Sequence, residues 1–138
     1  MTQPKRIWWA RPRKLCALER PGGGGRSHRP ERRNEEIVWL KAEGVRTVIS
    51  VMRTRHNLAA YEEAGLEWVH APVEDGDEPD ELVPLLRRHL RGAGAVAVHG
   101  DHRTDFVARA CAELLDTAYR IPVEEGLARA AAAGLIAR

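Results

Sequence analysis

Sulfur and aromatic rings are scarce in these 138 residues: two cysteines, two methionines, one phenylalanine, two tyrosines and four tryptophans. Cys16 and Cys111 are too few for a disulfide framework, and no Cys/His spacing matches a structural zinc site, so neither metal nor cofactor is expected. A single Cys16–Cys111 bridge would require an oxidising compartment. No apolar run approaches the roughly 18 residues of a membrane span, and the N-terminus has no secretory apolar stretch. A cytoplasmic protein without a membrane partner is therefore expected. Charge of one sign is also missing from the total, since 22 Lys+Arg against 20 Asp+Glu leaves only +2.

What is present fits one globular domain over residues 1–138, with 43% apolar and 30% charged residues. The charge is unevenly spread. Lys5, Arg6, Arg11, Arg13, Lys14, Arg20, Arg26, Arg29, Arg32 and Arg33 face only Glu19 and Glu31 in the first 33 residues, whereas "VEDGDEPDE" at 73–81 reverses the sign. The basic arm reads first as a solvated segment and second as a surface for phosphate, nucleic acid or an acidic partner. Trp8 and Trp9 are its only stacking rings, which weakens the nucleic-acid reading.

Strand and helix signals alternate along the chain. "RIWWARPRKLCAL" predicts a hairpin or edge-strand pair broken at Pro12, and "ERPGGGGRSHRPERR" predicts a mobile Gly/Arg loop over residues 20–34. "RNEEIVWLKAEG" predicts a helix with Ile37, Val38, Leu40 and Ala42 as its stripe, stopped by Gly44. "VRTVISVM" and "LEWVHAPV" read as strands on either side of a short helix in "NLAAYEEAG". Asp80 is expected to cap a helix carrying Leu82, Val83, Leu85, Leu86 and Leu90. "AVAVH" is a further strand, and two amphipathic helices complete the chain. The strands are largely apolar rather than alternating. This predicts an α/β three-layer sandwich, with a mostly parallel central sheet of four to five strands flanked by helices.

The chemistry concentrates in "AVAVHGDHRTDF", residues 95–106. A strand runs into a short loop and a helix, the place where open α/β sheets bind ligands. Amides at the helix start favour an anion, and Arg103 offers a planar guanidinium fork. The anion-binding candidates are His99, Gly100, Asp101, His102, Arg103 and Thr104. Two His and one Asp within four loop residues are too crowded for a recognised metal-ligand spacing.

From Ile7 to Leu115 the chain resembles the dual-specificity subgroup of the cysteine-dependent protein tyrosine phosphatases. "RIWWARPRKLCAL" is similar to the family's N-terminal hairpin, "EEIVWLKAEGVRTVISV" to its helix and following strand, and "YEEAGLEWVHAPVEDGDEPD" to the strand and loop bearing a general acid. "AVAVHGDHRTDFVARACAELL" stands where the family has strand, His-Cys-x5-Arg-Ser/Thr and helix. The resemblance implies thiolate attack on phosphorus, oxygens held by loop amides and an arginine, and an aspartic acid protonating the leaving group. It makes Asp75 the counterpart of the acid, with Asp77 as the alternative, and matches Arg103–Thr104 to the Arg-Ser/Thr pair. The nucleophile position departs from the pattern. Aligning the strands puts Gly100 at the cysteine and leaves two residues before Arg103 instead of five; counting six back from Arg103 lands on Ala97. Neither is a thiol. Asp105 adds a carboxylate where the family usually has glycine. Two readings follow. One is a catalytically inactive phosphatase-like module that binds phosphate or a phosphorylated partner. The other is a phosphoester hydrolase using Asp101, His99 or His102 in place of cysteine.

Overall fold

The apolar runs expected as strands join one five-stranded sheet in the computed structural model, which describes residues 2–137. β1 (Ile7–Arg11) and β2 (Leu15–Leu18) form an antiparallel hairpin, with Arg13 left-handed at φ 62° in the turn. β3 (Val45–Ser50), β4 (Glu67–His70) and β5 (Ala95–His99) complete the order β1-β2-β5-β3-β4. All pairings except β1–β2 are parallel, so the sheet is mixed but mostly parallel.

Period-two alternation sorts the inner strands between two cores. On β2, Leu15 and Ala17 face one core while Cys16 and Leu18 face the other; on β5, Val96 and Val98 oppose Ala95 and Ala97. The first core is closed by α3 (Val83–Leu90), α4 (Thr104–Tyr119) and α5 (Val123–Ala132). The second is closed by α1 (Pro30–Ala42) and α2 (Leu58–Glu63). Burial on both faces explains why these strands are apolar throughout rather than alternating.

Three local expectations change. α1 begins at Pro30, so residues 30–34 of the expected loop are helical, started by a proline at the first helical position. Its buried face is Glu36, Ile37 and Leu40, while Val38 is 54% exposed and Ala42 lies outside. Glu36 faces inward because its carboxylate accepts the Gly22 and Arg32 N–H groups, and Val38 is thereby turned to solvent. Asp80 does not cap a helix with its side chain: a 3₁₀ turn, Pro79–Leu82, leads into α3 instead.

The parallel strands end together, with Leu18 and Ser50 both beside His99, and Ser50 beside His70. The loops after β2, β3, β4 and β5 therefore emerge along one edge. Among the described residues no helix is long and apolar enough to cross a membrane.

Candidate functional site

β5 ends at His99 and α4 begins at Thr104, which leaves Gly100, Asp101, His102 and Arg103 as the loop. Ala97 is mid-strand, fully buried and paired with Cys16 and Val48, so Gly100 is the first loop residue. A cleft of about 340 Å³ opens here, lined by these four residues with Val51, Met52, Arg53, Thr54, Val73 and Asp75. It brings Asp75, Asp101, His102 and Arg103 together. It also includes Arg53, which the sequence reading did not assign; its place in the loop that follows β3 was the available signal.

The loop's two ends do not face the cleft. His99 is wholly buried: Nδ1–H donates to the Gly100 carbonyl at 3.0 Å, and Nε2 accepts from the Tyr61 hydroxyl at 2.8 Å. Burial lowers its pKa to about 4, against a smaller opposing effect of the Gly100 bond, so the ring is neutral at pH 7. Asn57 donates through Nδ2 to the Tyr61 hydroxyl and to the Pro21 carbonyl, extending the chain of bonds to the segment after β2. Thr104 is also buried, and its Oγ1 accepts a 3.0 Å bond from Arg6 Nη2.

Arg103 is exposed, lies with its guanidinium carbon 4.9 Å from the Phe106 ring centroid, and makes no ion pair among the described residues. Asp101 is more engaged. Its Oδ1 accepts the Gly25 N–H at 2.8 Å and stands 3.7 Å from Arg20 Nη1, while Oδ2 is 3.8 Å from His102 Nε2. Arg20 and the glycine run, read from sequence as mobile chain, thus form the wall behind the loop, and Pro21 to Gly24 are buried.

The acidic loop contributes one group to the cleft. Asp75, 93% exposed, pairs with Arg53 Nη2 at 3.0 Å, and Glu74 pairs with Arg53 Nε at 3.4 Å. Asp77 instead accepts the Glu74 N–H at 2.8 Å and braces its own turn. The two thiols lie elsewhere. Cys16 on β2 and Cys111 on α4 are free and fully buried, and burial pushes both upward, Cys111 to about 12. Cys111 is about 10 Å along α4 from its first residue. Among the described residues no group of three or more His, Cys, Asp or Glu could hold a metal ion.

No protein-family model matches the chain, and no curated protein matches it. Solved structures do. A variant of human DUSP28 superimposes with a TM-score of 0.67 at 19% identity, covering 99% of this chain and 86% of its own. P. aeruginosa TpbA, crystallised with phosphotyrosine, gives 0.68 at 16% identity, covering 89% and 70%. A kinase associated phosphatase whose catalytic-site cysteine is replaced by serine gives 0.57 at 20% identity, covering 90% and 79%. The chain has a dual-specificity phosphatase-like fold.

Proposed function

We propose that this domain binds a phosphate-bearing ligand in the cleft and does not cleave it. The observation that carries this reading is the place of sulfur: the strand-to-helix loop starts at Gly100, and both thiols are sealed in the core. Covalent phosphoryl transfer in this fold needs an accessible thiolate at the loop start. A Cβ at position 100 would stand 3.3 Å from both the Arg103 Cβ and the Val51 Cγ2, so even a small side chain is tightly received there. With two residues between Gly100 and Arg103, the loop is also too short to ring a phosphoryl group with amides. The Asp75 carboxyl can assist a leaving group by only about 10²–10⁴-fold, and it has no nucleophile to assist.

What supports binding is the Arg103 guanidinium, which makes no ion pair among the described residues, on a cleft floored by Val51, Met52 and Val73; Arg53 lines the same cleft with its charge already shared with Glu74 and Asp75. Attack by Asp101 or His99 draws no comparable support. The Asp101 carboxylate is held by Gly25 and Arg20, and both His99 nitrogens are occupied in the interior. His102 is exposed on the rim beside the Asp101 carboxylate, which repels a phosphate dianion.

An arylphosphate assay and a tungstate titration on the whole chain test the reading. The expected result is no turnover, and tungstate binding weakened about ten-fold or more by Arg103→Ala. Turnover that disappears in Arg103→Ala overturns it.

A further inference from the structure

Arg20 is 7% exposed, and Asp101 at 3.7 Å is its one carboxylate neighbour within ion-pair distance among the described residues. Its Nη2 meets His56 Nδ1 at 3.2 Å, and its Nε is buried without any partner. A buried guanidinium carries five donors and a charge that is expensive to desolvate, so this pairing is incomplete. Glu36, another buried carboxylate of the region, is already taken by the Gly22 and Arg32 N–H groups. Asp101, by contrast, is 37% exposed and lines the cleft. One of its oxygens sits between a guanidinium and a backbone amide, the two donor types that hold phosphate oxygens.

We propose that Arg20 and the Gly25 N–H form a second seat for a tetrahedral oxyanion, phosphate or a phosphate ester, and that the Asp101 carboxylate fills it as an internal competitor. The incoming anion displaces Asp101 toward solvent and inherits both donors. The inference rests on the anion-binding reading of the cleft given above. Chain packing makes the seat and the loop one site. A Cβ on Gly24 would stand 2.6 Å from the Asp101 carbonyl oxygen and 2.8 Å from His102 Nδ1, so only glycine lets the segment lie this close. The glycine run thereby delivers Arg20 and the Gly25 amide to the back of the cleft. His28, whose pKa is lowered by burial and then by Arg20 and Arg33, adds no charge that competes for the anion at neutral pH.

Calorimetric titration of the full chain with tungstate and with inorganic phosphate tests the seat. Asp101→Asn keeps the shape and the acceptor for Gly25 but removes the charge. It is expected to bind both anions about ten-fold more tightly than the unmodified chain. The gain is expected to vanish in Asp101→Asn/Arg20→Gln. Should that variant fail to fold, Asp101→Asn/Arg20→Lys, which keeps the charge and loses the planar fork, is expected to lose most of it. The Gly25 amide resonance should shift on addition of tungstate. If wild-type binding depends on Arg103 while Asp101→Asn binds no tighter, the seat is refuted and the cleft reading survives. A gain that persists without the Arg20 fork refutes the seat as well, reducing the effect to relief of repulsion. If neither the wild type nor Asp101→Asn binds, both readings fall.

Discussion

His99 is buried completely and yet fully hydrogen-bonded, a combination that fixes its protonation state. Nδ1 must carry the hydrogen, because the Gly100 carbonyl can only accept, and Nε2 then accepts from Tyr61. A second proton would set two donors against each other in a dry site, and desolvation accordingly brings the pKa to about 4 from an ordinary 6.5. The unfolded chain takes up a proton near pH 6.5, whereas the folded chain resists until about pH 4. Folding stability is therefore full above pH 6.5 and declines as pH falls from there toward 4, by about 3 kcal/mol in all. Urea midpoints at neutral pH and through this window should show the decline, and His99→Gln should remove this part of it. A wild type and a His99→Gln variant with parallel pH profiles would contradict the assignment. Tyr61→Phe deprives both His99 Nε2 and Asn57 Nδ2 of a partner, and should destabilise by about 1–3 kcal/mol at pH 7 without altering the cleft's anion affinity.

At the scale of elements, the segment joining β2 to α1 sets the shape of the loop after β5. Gly24 has φ −84°, a backbone any residue adopts, but no room for a Cβ against Asp101 and His102. Gly76 is the reverse case: φ +93° with nothing within 4 Å of its Cβ position. Gly24→Ala should destabilise by about 1–3 kcal/mol through overpacking and displace Asp101 and His102. Gly76→Ala should cost about 1 kcal/mol through its backbone alone and leave the loop's amide spectrum unchanged. Equal spectral effects from the two would deny the contact between the glycine run and the loop. The contrast also marks what the sequence discloses. Strands and helices are legible because their signals are local: β-branched runs for β3, the long apolar stripe of α4, the Gly44 stop after α1. Residues 100–103 of the cleft are legible because ligand loops follow strand ends, and Asp75 only through the resemblance of the acidic loop to one that bears a general acid. The wall behind it is not, since Gly25 meets Asp101 across 76 residues, and four glycines in a row resemble a linker when nothing local shows what they touch. Val38 misled for a related reason, because the buried Glu36 that rotates α1 is held by the distant Gly22 amide as well as by Arg32 on its own helix.

Over the whole molecule, half of the ten basic residues of the N-terminal arm are engaged in holding the fold. Arg6 donates to Thr104 Oγ1 and the Leu135 carbonyl, and pairs with Glu19. Arg11 stacks on Tyr119 with 3.9 Å to the ring centroid, and Lys14 reaches the Gly92 and Gly94 carbonyls. Arg20 is buried and Arg32 is paired with Glu36. Of the other five, which make no ion pair or ring contact among the described residues, Arg13 lies in the turn before β2, at the opposite end of that strand from Lys5, Arg26, Arg29 and Arg33. Trp8 is buried and Trp9 half-buried, which removes the stacking surface a single strand would use. Glu74, Asp75, Asp77 and Glu78 sit at the same edge as the cleft and repel an extended polyanion, whereas of these four carboxylates only Asp75 lines the cleft in which a single phosphate group would meet Arg103. On the reading proposed above, a small or singly phosphorylated ligand is expected in preference to nucleic acid. Fluorescence anisotropy with a labelled oligonucleotide across a salt series should give a log K against log [salt] slope of about −2 or shallower, because no more than about two phosphates are neutralised at once. A slope of about −5 or steeper would mean that the arm aligns its cations on a backbone after all, and the anion held by the cleft would then be one phosphate of a longer chain.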